Sequence, residues 1–322
     1  MLVRPPYLRE NPEMSSAPLD PFSDLLKFAD AQTVVSGGFT AGGAWCIRFP
    51  PPGKIKFFAI LRGGGWLDIE GEPAPHRLDA GDVFLLPAQR PFRLGSDLRA
   101  TPVEARTVFG PNTGCGIRQV GDGDEFFLLG AHVVLDPAYG WLLADILPPV
   151  ILVRHTAPEA DGLHWLLDQL VREHAADLPG AGIAAAQLAH LLFIRILRAH
   201  LVAGAPLPAG WLRAATDARL APALRLMHGD PGRAWQLGEL AKAAAMSRTT
   251  FAQYFKAVAG IPPLAYLTAW RMRLAERALK EQNAPVSELA HRLGYASESA
   301  FSNAFKRVTG VGPRRYRGTV GS

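Results

Sequence analysis

One pattern written twice between Leu237 and Arg317 constrains this chain more than anything else in it. Leu237-Gly-Glu-Leu-Ala, Met246-Ser-Arg-Thr-Thr-Phe-Ala-Gln-Tyr-Phe-Lys and Gly260-Ile-Pro262 are followed by Val286-Ser-Glu-Leu-Ala, Ala296-Ser-Glu-Ser-Ala-Phe-Ser-Asn-Ala-Phe-Lys and Gly310-Val-Gly-Pro313. Ser247, Phe251, Phe255, Lys256 and Gly260 recur 50 residues on, and Glu239-Leu-Ala 49 residues on, so the second copy carries one extra turn residue. A repeat of this kind is one supersecondary unit used twice.

Each copy reads as helix, turn, helix. Leu237, Leu240 and Ala241 fall at i, i+3 and i+4, the spacing of one buried stripe. Ser247 and Ser297 are N-cap residues, whose hydroxyls accept from free amides of the next turn. Phe251, Phe255 and Val258 share one face of the helix that follows, as do Phe301, Phe305 and Val308. Gly260 and Gly310 end those helices. The opposite face is small, polar and cationic, with Arg248, Thr249, Ala252, Gln253 and Lys256 in the first copy. In the second it carries Glu298, Ser299, Ser302, Asn303 and Lys306. Such a face suits entry into a DNA major groove. The plain alternative is a helical bundle with solvated polar faces, and charge placement argues against it. Residues 217–322 hold 16 Lys and Arg against 7 Asp and Glu, whereas the preceding residues hold 18 against 22. A basic module on a mildly acidic body is the electrostatic footprint of a phosphate-binding part.

Residues 294–317 resemble the C-terminal signature of the AraC/XylS family of transcription regulators, and residues 246–256 are similar to that family's first recognition helix. The resemblance covers about a third of the chain. It departs from the pattern at Gly312, where a Ser before the Pro is commoner. It departs again at Ala252, where relatives often carry a base-reading polar side chain. The resemblance implies promoter DNA as a double-stranded partner, with RNA polymerase as a further one.

At 322 residues with 48% hydrophobic content, the chain is long enough for two domains with substantial cores. It has no run of ~18 apolar residues of the kind a membrane span needs. The most apolar stretch, 183–201, is broken by Gln187, His190, Arg195 and His200. Residues 1–18 are Pro-rich and polar and read as a mobile tail, with Arg4, Arg9 and Glu10 where a secretory leader needs an apolar core. The expectation is a cytoplasmic protein with no membrane partner. Two cysteines, Cys46 and Cys115, make no disulfide framework.

Asp20 and Pro21 open a short helix as cap and first residue. From Val34 to about Val108 short apolar runs alternate with Gly and Pro, as in a jelly roll or small barrel. Candidate strands are 45–49, 56–61, 66–69, 83–86 and 91–94. Residues 59–69 and 80–87 resemble the cupin barrel, and the stretch from Asp20 to about Leu201 is similar to the cupin sensor domain often fused ahead of AraC-type modules. Enzymatic cupins hold a metal with two His and a Glu from one motif and a His from a second. Alignment on Gly63 puts Lys56 at the Glu position and Pro50 to Pro52 near the two His; alignment on Gly81 and Pro87 puts Phe92 at the remaining His. Proline and Phe offer no donor atom, and Lys is a poor metal ligand near neutral pH. The implied barrel carries no metal or cofactor and either binds a small-molecule effector or only packs. Its apolar and aromatic strands favour an apolar or aromatic ligand. His76 reads as an isolated surface histidine.

Residues 110–126 read as a loop, 126–130 and 132–135 as strands, 139–146 as a short helix and 147–153 as one more strand. Helices follow at 162–176 and 183–201. The second has too wide an apolar face for one neighbour, so it packs on the barrel and on its own copy in a symmetric homodimer, or else lies buried in a monomer. The expected fold class is α+β: a tail (1–18), a cupin-like β-barrel (19–155), a helical dimerisation segment (156–203), a linker (204–216) and an all-α module with two helix-turn-helix units (217–322). A helix from Pro263 to about Gln282 joins those units and spans roughly 30 Å, close to one turn of B-DNA at ~34 Å. It would set both recognition helices into successive groove segments, with some bending of the duplex.

Expected base-reading residues are Arg248, Thr249, Gln253, Glu298, Ser299, Ser302 and Asn303, with Glu298 open to a second role as its own helix cap. Lys256, Lys306, Arg307, Arg314 and Arg315 are expected on phosphates. An effector would act by binding one arrangement of the two modules better than another. Cys115, near Arg118 in a Gly-rich stretch, is a candidate redox trigger. No Ser/His/Asp set, no phosphate-cradling loop and no Cys/His metal spacing is found in the sequence, so no catalytic residue is assigned. Two other readings stay open: a cupin-type metalloenzyme (oxygenase or isomerase) with a DNA-binding tail, and a DNA-binding scaffold that needs no effector.

Overall fold

The computed structural model describes residues 20–87, 89–110, 116–135, 147–175, 178–204, 207–281 and 285–318. The chain divides into two compact units. Residues 29–207 form one. The other is 208–322 together with the N-terminal segment that ends in helix α1 (Pro21–Phe28).

The unit that begins at residue 29 is built on two sheets. Six strands lie in the order β11-β6-β3-β10-β1-β9, where β1 is Gln32–Ala41, β3 Ile55–Arg62, β6 Val83–Leu86, β9 Ile117–Val120, β10 Phe126–Val134 and β11 Ile151–Val153. Five lie in the order β5-β4-β7-β2-β8, with β2 at Cys46–Phe49, β4 at Gly64–Ile69, β5 at His76–Asp79, β7 at Phe92–Gly95 and β8 at Val103–Glu104. The sheets remain two and do not close into one cylinder. They share an apolar core, to which one sheet sends Phe39, Phe84 and Leu128 and the other Ile47, Leu67 and Leu94. Alternation accounts for this: in β4 every second residue is buried.

Several elements differ from expectation. The strands expected at 126–130 and 132–135 are one continuous strand, β10. The stretch expected as a loop contains β9, paired parallel to β1. Only Ile151–Val153 of the last expected strand is regular, and the helix expected at 139–146 falls outside the described residues. β1, absent from the expected set, runs for ten residues with a register shift between Val35 and Gly37.

Among the described residues, three helices complete the unit: α2 (Ala105–Phe109), α3 (Ala160–Ala175) and α4 (Ala181–Val202). α4 buries Leu192, Phe193, Ile196 and Leu197. It is long and apolar enough to cross a membrane by length and composition, yet it packs on α3, β1 and β11. Its outer edge stays open, with Ile183 73% and Val202 71% exposed.

The other unit is all helix. α5 (Trp211–Thr216) and α6 (Ala221–Gly229) precede α7 (Leu237–Ala243) and α8 (Arg248–Ala259); after α9 (Pro263–Glu281) come α10 (Val286–Arg292), α11 (Glu298–Thr309) and α12 (Pro313–Gly318). It has two small cores strung on α9. Tyr266 and Leu267 of α9 join the core of the first helix-turn-helix, and Met272, Ala275 and Leu279 join that of the second. α1 belongs here by packing, although it precedes the β-structure in sequence. Asp20 caps it, accepting from the Phe22 amide at 3.1 Å, and Phe22, Leu25 and Leu26 are buried. His228 of α6 ties it in: its Nδ1 lies 2.9 Å from Asp24 and its Nε2 3.1 Å from the Tyr266 hydroxyl, while the ring stacks on Trp270 at 3.8 Å. Burial, with Asp24 nearby, holds the Tyr266 hydroxyl well above the usual tyrosine range.

Candidate nucleic-acid interface and the β-unit cavity

Both copies of the repeat are built as their residues dictate. Ser247 accepts from the Thr250 amide at 3.1 Å and Ser297 from the Ala300 amide at 3.1 Å, so each second helix starts at a satisfied cap. Gly260 (φ +78°) and Gly310 (φ +82°) end those helices in the left-handed region. Phe251, Phe255, Phe301 and Phe305 are fully buried. Four anchored aromatic rings fix which side of α8 and α11 faces outward. Val308, expected inside, is 40% exposed, and Ala304 takes its place in the core.

On the outward side of α8, Arg248, Thr249, Gln253 and Lys256 are exposed, and Ala252 is half-buried. On α11, Ser299, Asn303, Lys306 and Arg307 are exposed and Ser302 is half-buried. Glu298 sits at the start of the same helix. It is half-buried, and it accepts from Arg314 of α12 at 3.0 Å, while Ser297 provides the cap. Arg314 is thus paired in this conformation, and Arg315 beside it is exposed. The cationic side chains that remain outward favour an anionic rod rather than a point ligand.

The two units of the repeat are locked together at their turns. Gly294 sits at φ +77°, and a Cβ there would lie 1.9 Å from the Gly232 carbonyl oxygen. A Cβ on Gly232 would lie 2.5 Å from the Arg292 carbonyl oxygen. The backbone of the loop before α7 therefore presses on the turn between α10 and α11. Ala245 holds the equivalent turn position in the first copy, at φ +53°.

The β-unit contains a cavity of about 300 Å³. The four positions at which enzymatic cupins carry metal ligands all line it, as Pro50 to Pro52, Lys56 and Phe92. This donor set does not fit a metal ion, because it offers no imidazole or carboxylate. Burial, then the nearby Lys54, pushes the Lys56 ammonium below the usual lysine range. His132 lies directly opposite Lys56 across the β10–β3 pair, and its Nδ1 is 2.8 Å from the Ser36 hydroxyl. Burial, then Lys54 and Lys56, pushes its imidazole down as well. Sequence reading missed Ser36 and Arg106 in the cavity wall, and His132 beside it. The available signal was the inward parity that Lys56 shares with Phe58 and Ile60. Cys46 is buried, and burial pushes its thiol up; Cys115 lies outside the described residues. His76 is half-buried, with a buried Nε2.

A second polar cluster in this unit was also missed. Asp82, fully buried, accepts from the His155 amide at 2.8 Å, from Arg154 at 3.0 Å and from the Asp79 amide at 3.0 Å, with His155 Nδ1 at 3.0 Å. Burial alone would raise its carboxyl, and these donors hold it below the usual range.

Comparison with known proteins places the two units. Residues 20–202 match a cupin family, and residues 240–319 match a family of helix-turn-helix domains. A Streptomyces antibioticus protein carrying the name AraC-like transcription regulator is 40% identical over 299 residues, covering 93% of this chain and 98% of that one. The HTH-type transcriptional regulator AlkR of Acinetobacter baylyi is 31% identical over 284 residues, covering 85% of this chain and 91% of its own. Among solved structures, the DNA-binding domain of AdpA in complex with a target DNA is 31% identical, with a TM-score of 0.31, covering 32% of this chain and 93% of that one.

Proposed function

This chain belongs to the AraC-like transcription regulators, with a cupin domain ahead of a helix-turn-helix DNA-binding domain, and from that premise we propose how its parts divide the work. α8 and α11 enter successive major-groove segments of promoter DNA. Arg248, Thr249, Gln253, Glu298, Ser299, Ser302 and Asn303 face base edges, where Arg pairs with guanine, Asn or Gln with adenine, and Glu accepts from cytosine. Lys256, Lys306, Arg307 and Arg315 lie on phosphates, and Arg314 joins them on release from Glu298. The observation that carries this reading is the exposure of one polar, cationic side on each of two helices whose other sides are pinned by buried Phe pairs. At 19 residues, α9 is roughly 30 Å long, matching a groove repeat of ~34 Å.

The cupin unit serves as sensor and dimerisation domain. Its cavity takes a small-molecule effector without metal or catalysis, and the open edge of α4, with Ile183, Leu191 and Val202, meets the same edge of a second copy. The effector acts by binding more tightly to one arrangement of the two DNA-reading modules. The protein works in the cytoplasm, with RNA polymerase as a further partner. Footprinting on the DNA upstream of this protein's own coding region tests the reading. Two protected major-groove segments per module, about one helical turn apart, are the expected result. Equal affinity for that DNA and for a shuffled duplex at every salt concentration would overturn it.

A further inference from the structure

Charge inside the β-unit cavity is one-sided. Lys56, Arg106 and Arg118 line it, and no Asp or Glu among the described residues does. Arg106 and Arg118 are exposed, whereas Lys56 is half-buried with no acidic group offsetting its burial. An ammonium withdrawn from water without a counter-charge is costly, and a carboxylate brought in by a ligand would supply the missing partner.

The rest of the lining grades away from that charge. On β3, Lys56 has the same strand parity as Phe58 and Ile60; opposite them on β10 lie His132, Gly130 and Leu128, and of these six Lys56, Phe58, Gly130 and Leu128 line the cavity. The face therefore runs from a polar end at Lys56–His132 to an apolar floor at Ile60–Leu128. Gly130 is small for a reason: a Cβ there would come within 3.0 Å of the Phe58 ring. Across the cavity Phe49 and Phe92 stack at 4.6 Å, and Phe58 meets Phe92 edge-on at 6.0 Å. Flat aromatic walls favour a ring-bearing body. The volume lies at the small end of ligand pockets, ~300–1,000 Å³.

We propose that this cavity binds a small organic carboxylate with an apolar, ring-bearing body, the carboxylate paired with the Lys56 ammonium and the ring packed against the wall that Phe58, Phe92 and Phe49 form. The proposal rests on the reading of this unit as the effector domain and adds the chemical class of the effector.

The test uses the full-length protein and two matched probes, 3-phenylpropionate and its neutral amide, titrated by calorimetry. Wild type should prefer the carboxylate at least tenfold. Lys56→Met keeps the stem and removes the charge, so it should bind the two probes within about twofold of each other, and Lys56→Arg should restore part of the preference. Thermal melts of each variant establish that it is folded. Equal binding of both probes by wild type, no binding of the carboxylate below millimolar, or an unchanged preference in a folded Lys56→Met protein each overturns the proposal. DNA affinity measured with each probe separates it from the reading beneath. A carboxylate that binds through Lys56 yet leaves DNA affinity unchanged sinks the effector reading and supports this one. An amide that shifts DNA binding while the carboxylate does not sinks this one alone.

Discussion

Gly294→Ala should uncouple the two halves of the DNA-binding module, and its cost can be assembled from the geometry. Two effects add. At φ +77° a Cβ costs ~1–2 kcal/mol from backbone sterics alone. Ala245 already carries that strain at the equivalent turn of the first copy, so this part is survivable. The second effect is the Gly232 carbonyl oxygen, 1.9 Å from the added carbon. That contact is far inside van der Waals range and involves backbone on both sides, so no rotamer change relieves it. Forcing well-packed segments apart costs ~1–3 kcal/mol or more. The sum, ~3–5 kcal/mol, is a large share of the ~5–15 kcal/mol that stabilises a typical domain. Gly310→Ala is the control, because it has φ +82° and nothing within 4 Å of the new Cβ, and should cost only the ~1–2 kcal/mol of the first effect. Hydrogen exchange of amides in 286–309 reads the local opening free energy, and fluorescence anisotropy on footprinted DNA reads function. Gly294→Ala should bind a single groove segment as a shortened footprint, with Gly310→Ala near wild type. Equal costs for the two variants, within ~0.5 kcal/mol, would refute a backbone lock between the turns.

Three further outcomes are expected. Lys306→Ala should weaken binding to every duplex and lower the salt slope by about one counterion, whereas Asn303→Ala should relax preference at one base pair by ~1–3 kcal/mol and leave the slope alone; equal losses on all sequences for both would end this division of roles. Ile183→Asp combined with Leu191→Asp, on the open edge of α4, should convert a dimer to a folded monomer in sedimentation equilibrium, and an unchanged mass would exclude that edge as the interface. The Asp82 carboxyl is held low in the fold, so its donors stabilise the β-unit at pH values above the unfolded carboxylate value of ~3.9, and that stability is lost as pH falls through the lower folded value. Melting followed from pH 7 to pH 2.5 should show an acid-side loss that is absent in Asp82→Asn, itself ~1–3 kcal/mol less stable at pH 7; a parallel acid loss in both proteins would count against it.

The helix-turn-helix pair was legible because its signals are local. Caps, a 3.6-residue period and terminating glycines all lie within a dozen residues of one another. Where the reading slipped, the cause lay outside the segment. Val258 and Val308 hold the same place in the repeat, yet only Val258 is covered. α5 packs on the first copy, with the Gly210 amide donating to the Val258 carbonyl, and the second copy has no counterpart. The Glu298–Arg314 pair was not foreseen because Arg314 stands 16 residues away on another helix. β1 was hidden by its glycines, which resemble turn residues. Gly38 is required by a strand rather than a turn: a Cβ there would meet the Leu128 carbonyl oxygen of β10 at 2.2 Å. The amphipathic pattern and cap of α1 were plain, but its partner was not, since Asp24 and His228 are 204 residues apart. In the cavity, alignment pointed to Pro50 to Pro52, Lys56 and Phe92 without revealing that Lys56 faces His132, which is a matter of strand register.

The placement of α1 bears on how a ligand could be felt by the DNA-reading helices. The chain passes between the two units twice, once after Phe28 and once near residue 207. The first passage is short. Only residues 29–31 separate α1 from β1, and they contain Ala29, fully buried, and Asp30, bent to φ +43°. β1 then runs directly along the cavity, contributing Ser36, Gly37 and Phe39 to its wall, while α1 is fixed to α6 and α9 through Asp24, His228 and Tyr266. Cupin units that carried no such helix would have to act through the 204–216 connection alone. Coupling requires only that the two positions of β1 differ in ligand affinity. α1 sits in the core of the helical unit, where Phe22, Leu25 and Leu26 are buried, so the DNA-binding unit is assembled from two stretches of chain that the whole β-unit separates in sequence.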